Sequence, residues 1–415
     1  MSLAGIYEKE REFSSRLVLV PDHMIGDRMQ ISMNRIRMKV LPLLLVAVAL
    51  ALLLRTGVAE AASWSVIPSP DGPSGNSLLN GIAVISSHDI WAVGEDFPSG
   101  SEQTLTEHWN GSQWTVVPSP NNQSIDTLSG VAAVSTNDVW AVGSAFNGHY
   151  ETLIEHWDGS QWSVVSSPNP GSLTDSLQGI VALSANDVWA VGAYQNSSSS
   201  PLQALTEHWN GSQWSVVSSP NTGNDYLLSG VAAISTKDVW AVGAYFSSNG
   251  GPLLTFIEHW DGSQWSIVSS PTRQSCDQLY SVTAISTNDA WAVGYSSQNC
   301  NSKYFSGRAL IEHWNGKKWS IASSPRPPKN STLTGIAAAS QNDVWAVGNN
   351  GSRNKFSALT EHWNGTQWSI VSSPNPGTKT DQFDAVVASG NNFWAVGYYV
   401  NSHDYHDQTL TELYA

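Results

Sequence analysis

From Ala62 to the end of the chain, apolar and polar residues alternate in short runs, and no stretch keeps the 3.6-residue period of a helix. One stretch shows the pattern: LLSGVAAIS (227–235), VWAVGAY (239–245), LTFIEHW (254–260) and QWSIVSS (264–270) are β-branched or aromatic with no internal Pro. They predict four strands, A to D. Asn-Gly or Asp-Gly joins C to D in six such stretches, because both residues of a tight hairpin turn need positive φ. The A–B link ends in Asp (Asp89, Asp138, Asp187, Asp238, Asp289, Asp343), and Pro closes strand D, where it cannot donate to a ladder.

The pattern repeats. WAVG begins at Trp91, Trp140, Trp189, Trp240, Trp291, Trp345 and Trp394, 49 to 54 residues apart. A Trp opens strand D at Trp64, Trp114, Trp162, Trp214, Trp265, Trp319 and Trp368, and EHW ends strand C at Trp109, Trp157, Trp209, Trp260, Trp314 and Trp363; these account for all 20 Trp of the chain. Four antiparallel strands at this period predict an all-β fold, a seven-bladed β-propeller with four-stranded antiparallel blades. Strand A, rich in Gly, Ala and Val, suits a crowded axis, and each Trp is expected to lie on the flat Ala/Gly face of the next unit. The last unit supplies A (383–389), B (393–399) and C (409–415), and SWSVIPSP (63–70) is an orphan D strand. The N-terminal strand is therefore expected to close the last blade and hide an open sheet edge.

The first 61 residues form a separate leader. Arg35, Arg37 and Lys39 precede the apolar run 40–54, and Ala59-Glu60-Ala61 follows, the order of a secretory signal peptide cleaved near 61/62. The run is shorter than the roughly 20 residues of a bilayer span, so no stable membrane span is expected after cleavage, and the protein is expected to be secreted or on the cell surface. Met29 or Met33 offers an alternative start. Residues 62–415 carry 11 Lys+Arg against 28 Asp+Glu, a net of −17, which repels phosphate backbones and excludes nucleic acid as a partner.

The order of a Gly-bearing second strand (WAVG), an aromatic before a turn (HWNG), a Trp opening the outer strand (QWSVV) and a following Pro resembles the kelch-type repeat. The chain is similar over 63–415 to the galactose-oxidase/kelch superfamily of propellers. A single Gly in strand B departs from the paired glycines of kelch repeats. The DGSQW turn is similar to the Asp-box of sialidase-like propellers.

EHW has the composition of an acid–base site, but neighbouring strand residues point to opposite faces, so Glu207 and His208 cannot serve one substrate. The Glu recurs seven times (Glu107, Glu155, Glu207, Glu258, Glu312, Glu361, Glu412), which points to a structural contact, with adjacent backbone amides as candidate partners. No catalytic residue, metal or cofactor is assigned. The B–C and D–A links leave on one face and vary between units, so ligand candidates are taken there: Tyr226, Tyr280, Tyr304, Phe305, Arg308, His403, Asp404, Tyr405 and His406. Cys276 and Cys300 are expected to form a disulfide pinning the long fifth-unit loop, as exported proteins allow. The function expected is an exported, non-catalytic, monomeric binding or scaffold propeller recognising an extracellular glycan or protein. The alternative is a secreted enzyme, a sialidase-like glycoside hydrolase or a galactose-oxidase-like copper oxidase. The hydrolase wants convergent Arg, whereas only Arg273, Arg308, Arg326 and Arg353 follow the leader. The oxidase wants a Cys–Tyr bond and free His, and most His belong to EHW.

Overall fold

The computed structural model describes residues 62–221, 224–247, 251–300, 307–325, 330–352, 355–403 and 406–415. The expected signal segment lies outside them. No helix among the described residues is long and apolar enough to cross a membrane.

The fold is all-β and propeller-like, built from antiparallel sheets of four or eight strands. In unit four, strand A is Tyr226–Ser235, B is Asp238–Phe246, C is Leu253–Trp260 and D is Trp265–Ile267, each paired with the next. Strand D is three residues long, shorter than the seven its sequence suggests. It is the outer edge with one neighbour, and side chains take over its pairing. In unit three, Thr206 donates its hydroxyl to Val217 O, and Asn221 Oδ1 accepts from Ala204 N at 2.9 Å.

The C–D turn forms as its residues dictate. Gly211 has φ of 92°, in the left-handed region, and Asn210 Oδ1 accepts from the amides of Ser212 and Gln213. The core lies between units. Trp189 and Val191 of unit three pack on Val239, Ala241 and Phe256 of unit four. Trp189 lies 4.4 Å from its own unit's His208, 5.0 Å from Trp260 and, edge-on, 5.3 Å from Trp265. Edge-to-face geometry is the favoured arrangement of aromatic quadrupoles.

The first and last described strands take part in the same scheme. Trp64–Val66 pairs antiparallel with Asp407–Tyr414, Trp64 opposite Tyr414 and Val66 opposite Glu412. Trp64 meets Trp345 edge-on at 5.3 Å, and Tyr414 lies 4.4 Å from Trp345, where other units place the EHW Trp. Asn76 Oδ1 and Asp71 Oδ1 accept from the amides of Asp407 and Thr409. Leu79, Ile90 and Trp114 of unit one share a cluster with Trp394 and Val396 of unit seven.

Candidate functional site

The EHW triplets are packed into the framework. All seven Glu are 0% exposed. Ser219, Ser270 and Ser324 of the preceding unit donate hydroxyls to Glu258, Glu312 and Glu361, whereas Glu107, Glu155, Glu207 and Glu412 accept no hydrogen bond with either oxygen. The backbone amides anticipated as partners are not used, because those amides are spent in the ladders. Burial instead pushes the carboxyls up, to about 7 at Glu258 and Glu361 and about 8 at Glu155, Glu207, Glu312 and Glu412. Glu155, Glu207, Glu312 and Glu412 therefore favour the neutral form near pH 7, since burying the charge would cost several kcal/mol each (~), whereas Glu258 and Glu361 lie close to the midpoint. The His on the other face contact the A–B turn Asp: His208 Nε2 lies 2.8 Å from Asp187 Oδ1, and the five other pairs repeat this within 0.1 Å of it, at 2.8 to 2.9 Å.

A different position carries the diversity. Every strand A has a β-bulge after its first turn of pairing: the register skips Asn80, Ser129, Gln178, Ser229, Tyr280, Thr334 and Asp384 in units one to seven. A bulge re-aims a side chain, and all seven of these residues line one central cavity of about 610 Å³. The lining runs in unit four from Leu227, which pairs with Ala244 near the B–C link, to Val231, and omits the strand end at the A–B turn. The cavity therefore belongs to the end from which the variable B–C and D–A links emerge. Of these residues the sequence named only Tyr280 as a ligand candidate and missed the other six by treating strand A as uniformly small; the available signal was a position, before Gly in five units, that changes from unit to unit.

The cavity wall mixes apolar and polar groups, and its charged members are acidic. Glu95 and Asp384 line it, both raised to about 7, chiefly by burial, with Glu102 adding repulsion at Glu95, and Glu95 and Asp407 at Asp384. Asn349 Nδ2 donates to Gln382 Oε1, and Gln382 Nε2 donates to Asp384 Oδ1 at 2.6 Å. Burial raises the Tyr280 hydroxyl as well, and its ring stacks on Tyr295 with centroids 5.9 Å apart.

The structure separates the other candidates. Tyr226 is a correction: it is 3% exposed, stacked on Tyr245 and tilted against Phe256, so it is a core staple with no ring face left for a ligand. Arg308 opens strand C of unit five opposite Ser296, half-buried, and His403 and His406 are exposed at the B–C link of unit seven. Tyr304, Phe305, Asp404 and Tyr405 lie outside the described residues. Cys276 and Cys300 are joined as a disulfide with Cα atoms 5.3 Å apart. Among the described residues no three His, Cys, Asp or Glu converge as a metal-binding group.

No family model matches the chain, and no curated protein does. Solved structures do. YCF48 bound to D1 peptide is 16% identical over 85% of this chain and 96% of that one, with a TM-score of 0.53. The WD40 β-propeller domain of Doa1 is 11% identical over 85% and 97%, with a TM-score of 0.55. The polysaccharide lyase PL25, an ulvan lyase bound to -[GlcA(1-4)Rha3S]-, is 10% identical over 84% and 94%, with a TM-score of 0.50. At these identities the likeness is one of fold, and it spans binding propellers and an enzyme alike.

Proposed function

We propose that residues 62–415 form one closed seven-bladed propeller, kelch-like in its motif order, and that it is an exported, non-catalytic binding or scaffold protein. It recognises a glycan or protein through the face that carries the B–C and D–A links and the mouth of the central cavity. One observation carries the reading. Units that repeat their framework nearly letter for letter place Asn, Ser, Gln, Ser, Tyr, Thr and Asp at the position each aims into the cavity. Catalysis needs one specialised pair, whereas recognition distributes unlike contacts around a ligand. The disulfide from Cys276 to Cys300, at the same face, supports a held loop there. That YCF48 has been seen with a peptide supports the binding class over the enzymatic one.

A second reading has its own observation. Glu95 and Asp384, both raised to about 7, have the protonation behaviour of a general acid–base pair, and one similar fold is a lyase. Against it stands the sign of the wall: among the described residues no Lys, Arg or His lines the cavity, so a uronate would face two carboxyls with no cation to pair with. The test is a glycan array and a pull-down with purified 62–415. Binding should fall in Gln178→Ala and Tyr280→Ala while the melting temperature holds. Undiminished binding after both changes, or turnover of a polysaccharide by the purified protein, would end this reading.

A further inference from the structure

The central cavity sets two carboxyls against a wall of unspent hydroxyl and amide groups. Glu95, in strand B of unit one, takes a hydrogen bond on Oε1 from Asn80 Nδ2 at 3.1 Å. Asp384, the bulged residue of unit seven, takes one on Oδ1 from Gln382. Their second oxygens, Oε2 and Oδ2, accept nothing from the described protein. Ser129, Gln178, Ser229, Gln278 and Tyr280 also line the cavity with no described side-chain hydrogen bond, the Tyr280 ring being stacked on Tyr295, while Thr334 donates to Phe383 O. The network is therefore closed in units six, seven and one and open in units two to five. Glu102 and Asp407 add negative charge nearby, Tyr398 stands beside Asp384, and Lys379 acts on Asp407.

Resting on the binding reading above, we propose that this cavity takes a small, hydroxyl-rich molecule carrying a protonated amine, of the amino-sugar class, its ammonium between Glu95 and Asp384 and its hydroxyls on the open wall. Three features select this class. The volume of about 610 Å³ lies within the range of small-ligand sites and suits one or two sugar rings. Two carboxyls on one cavity, close enough for Glu95 to repel Asp384, with no basic residue among the described lining, attract a cation and disfavour uronates and sulfated sugars. A lysine side chain would satisfy the carboxyls but leave Ser129, Gln178, Ser229 and Gln278 unmatched, since its stem carries no hydroxyl. The Tyr280 ring offers a face to the apolar side of a sugar or to the ammonium.

Seating an ammonium favours the charged carboxylates, so binding expels protons that burial otherwise retains. Affinity rises with pH through about 7, where Glu95 and Asp384 ionise, and falls again once the amine loses its own proton. Calorimetry on 62–415 with a glucosamine disaccharide, its N-acetylated form and a glucose disaccharide tests this. Only the glucosamine disaccharide should bind at pH 7, at least roughly tenfold more weakly at pH 5.5, because a charge-assisted contact is lost. Asp384→Asn and Glu95→Gln should each weaken it about tenfold or more and reduce the pH dependence, and the double variant should remove most of it. Gln178→Ala, on the far wall, should weaken it a few-fold (~) and leave the pH profile unchanged. Equal binding of the N-acetylated or glucose disaccharide, or an Asp384→Asn variant of unchanged affinity and melting temperature, overturns the ammonium assignment. If none of the three sugars binds while the array or pull-down finds another partner, the amino-sugar class falls and the binding reading stands.

Discussion

Glu207 is shut away from water, neither oxygen hydrogen-bonded, and burial pushes its carboxyl up to about 8, with Asp175 adding repulsion. The folded state therefore keeps a proton that the unfolded chain releases near its ordinary 4.5. Stability from this group is complete below that value and is lost as pH rises through about 8. Glu155, Glu312 and Glu412 act in the same direction, and Glu258 and Glu361 do so through about 7, where a Ser hydroxyl favours the carboxylate. The melting temperature should accordingly fall between pH 5 and pH 8.5 (~), followed by calorimetry or circular dichroism. Glu207→Gln keeps the volume and cannot ionise, so it should match the parent at low pH and exceed it by about 2–4 °C at high pH. Glu207→Ala leaves a void and should lose about 2 kcal/mol or more at either pH while sparing ligand binding. A melting temperature flat across this range would show that these carboxyls are charged and paired after all.

Strand A shows where a repeat can vary and where it cannot. After each bulge in five units comes Gly, and a Cβ at Gly230 would stand 2.8 Å from Tyr280 O and 3.0 Å from Ser281 Cα, both backbone atoms of the next unit. Gly230→Ala should therefore destabilise by about 1–3 kcal/mol in chemical denaturation, more than a change at the adjacent Ser229, whose side chain enters the cavity. The same contrast explains what the sequence disclosed. Strand pattern, Asn-Gly turns and the Trp spacing are local or periodic, so they named the elements and the face on which each Trp lies. A bulge is a property of two strands in register, invisible along one of them, so Asn80, Gln178 and Asp384 passed as fillers of a small-residue strand. Tyr226 failed for a related reason: its place next to a variable link marked it as exposed, but Phe256 and Tyr245 on neighbouring strands close over it. Between these elements the disulfide joins strand A of unit five to the residues after strand B, across a sequence separation of 24. Reductant should lower stability by about 3 kcal/mol through the freed unfolded chain, measured as a shift of the denaturation midpoint.

For residues 62–415 as a whole, the decisive contact is the one between Trp64–Val66 and Asp407–Tyr414. Trp64–Val66 contributes only three ladder positions, yet Trp64 fills the space beside Trp345 and Phe383 that strand D Trp residues fill elsewhere. Ile67 N donates to Thr411 O at 2.9 Å, and the Thr411 hydroxyl donates to Ile67 O, extending the seam beyond the strand. Trp64→Ala should then cost about 3–5 kcal/mol, as a large aromatic removed from a packed site does. Removing 62–70 altogether should expose the edge of Asp407–Tyr414 and promote association between copies, detected by light scattering. The proposed ring closure makes a sharper demand. A permuted chain that begins at Asp71 and carries 62–70 after Ala415 through a short linker keeps every strand partner and loses only the order in which they are connected. It should fold as a monomer and melt within a few degrees (~) of the parent, since linker entropy changes slowly with length. If the permuted chain aggregates like the truncated one, the first segment is serving some purpose other than completing the last sheet.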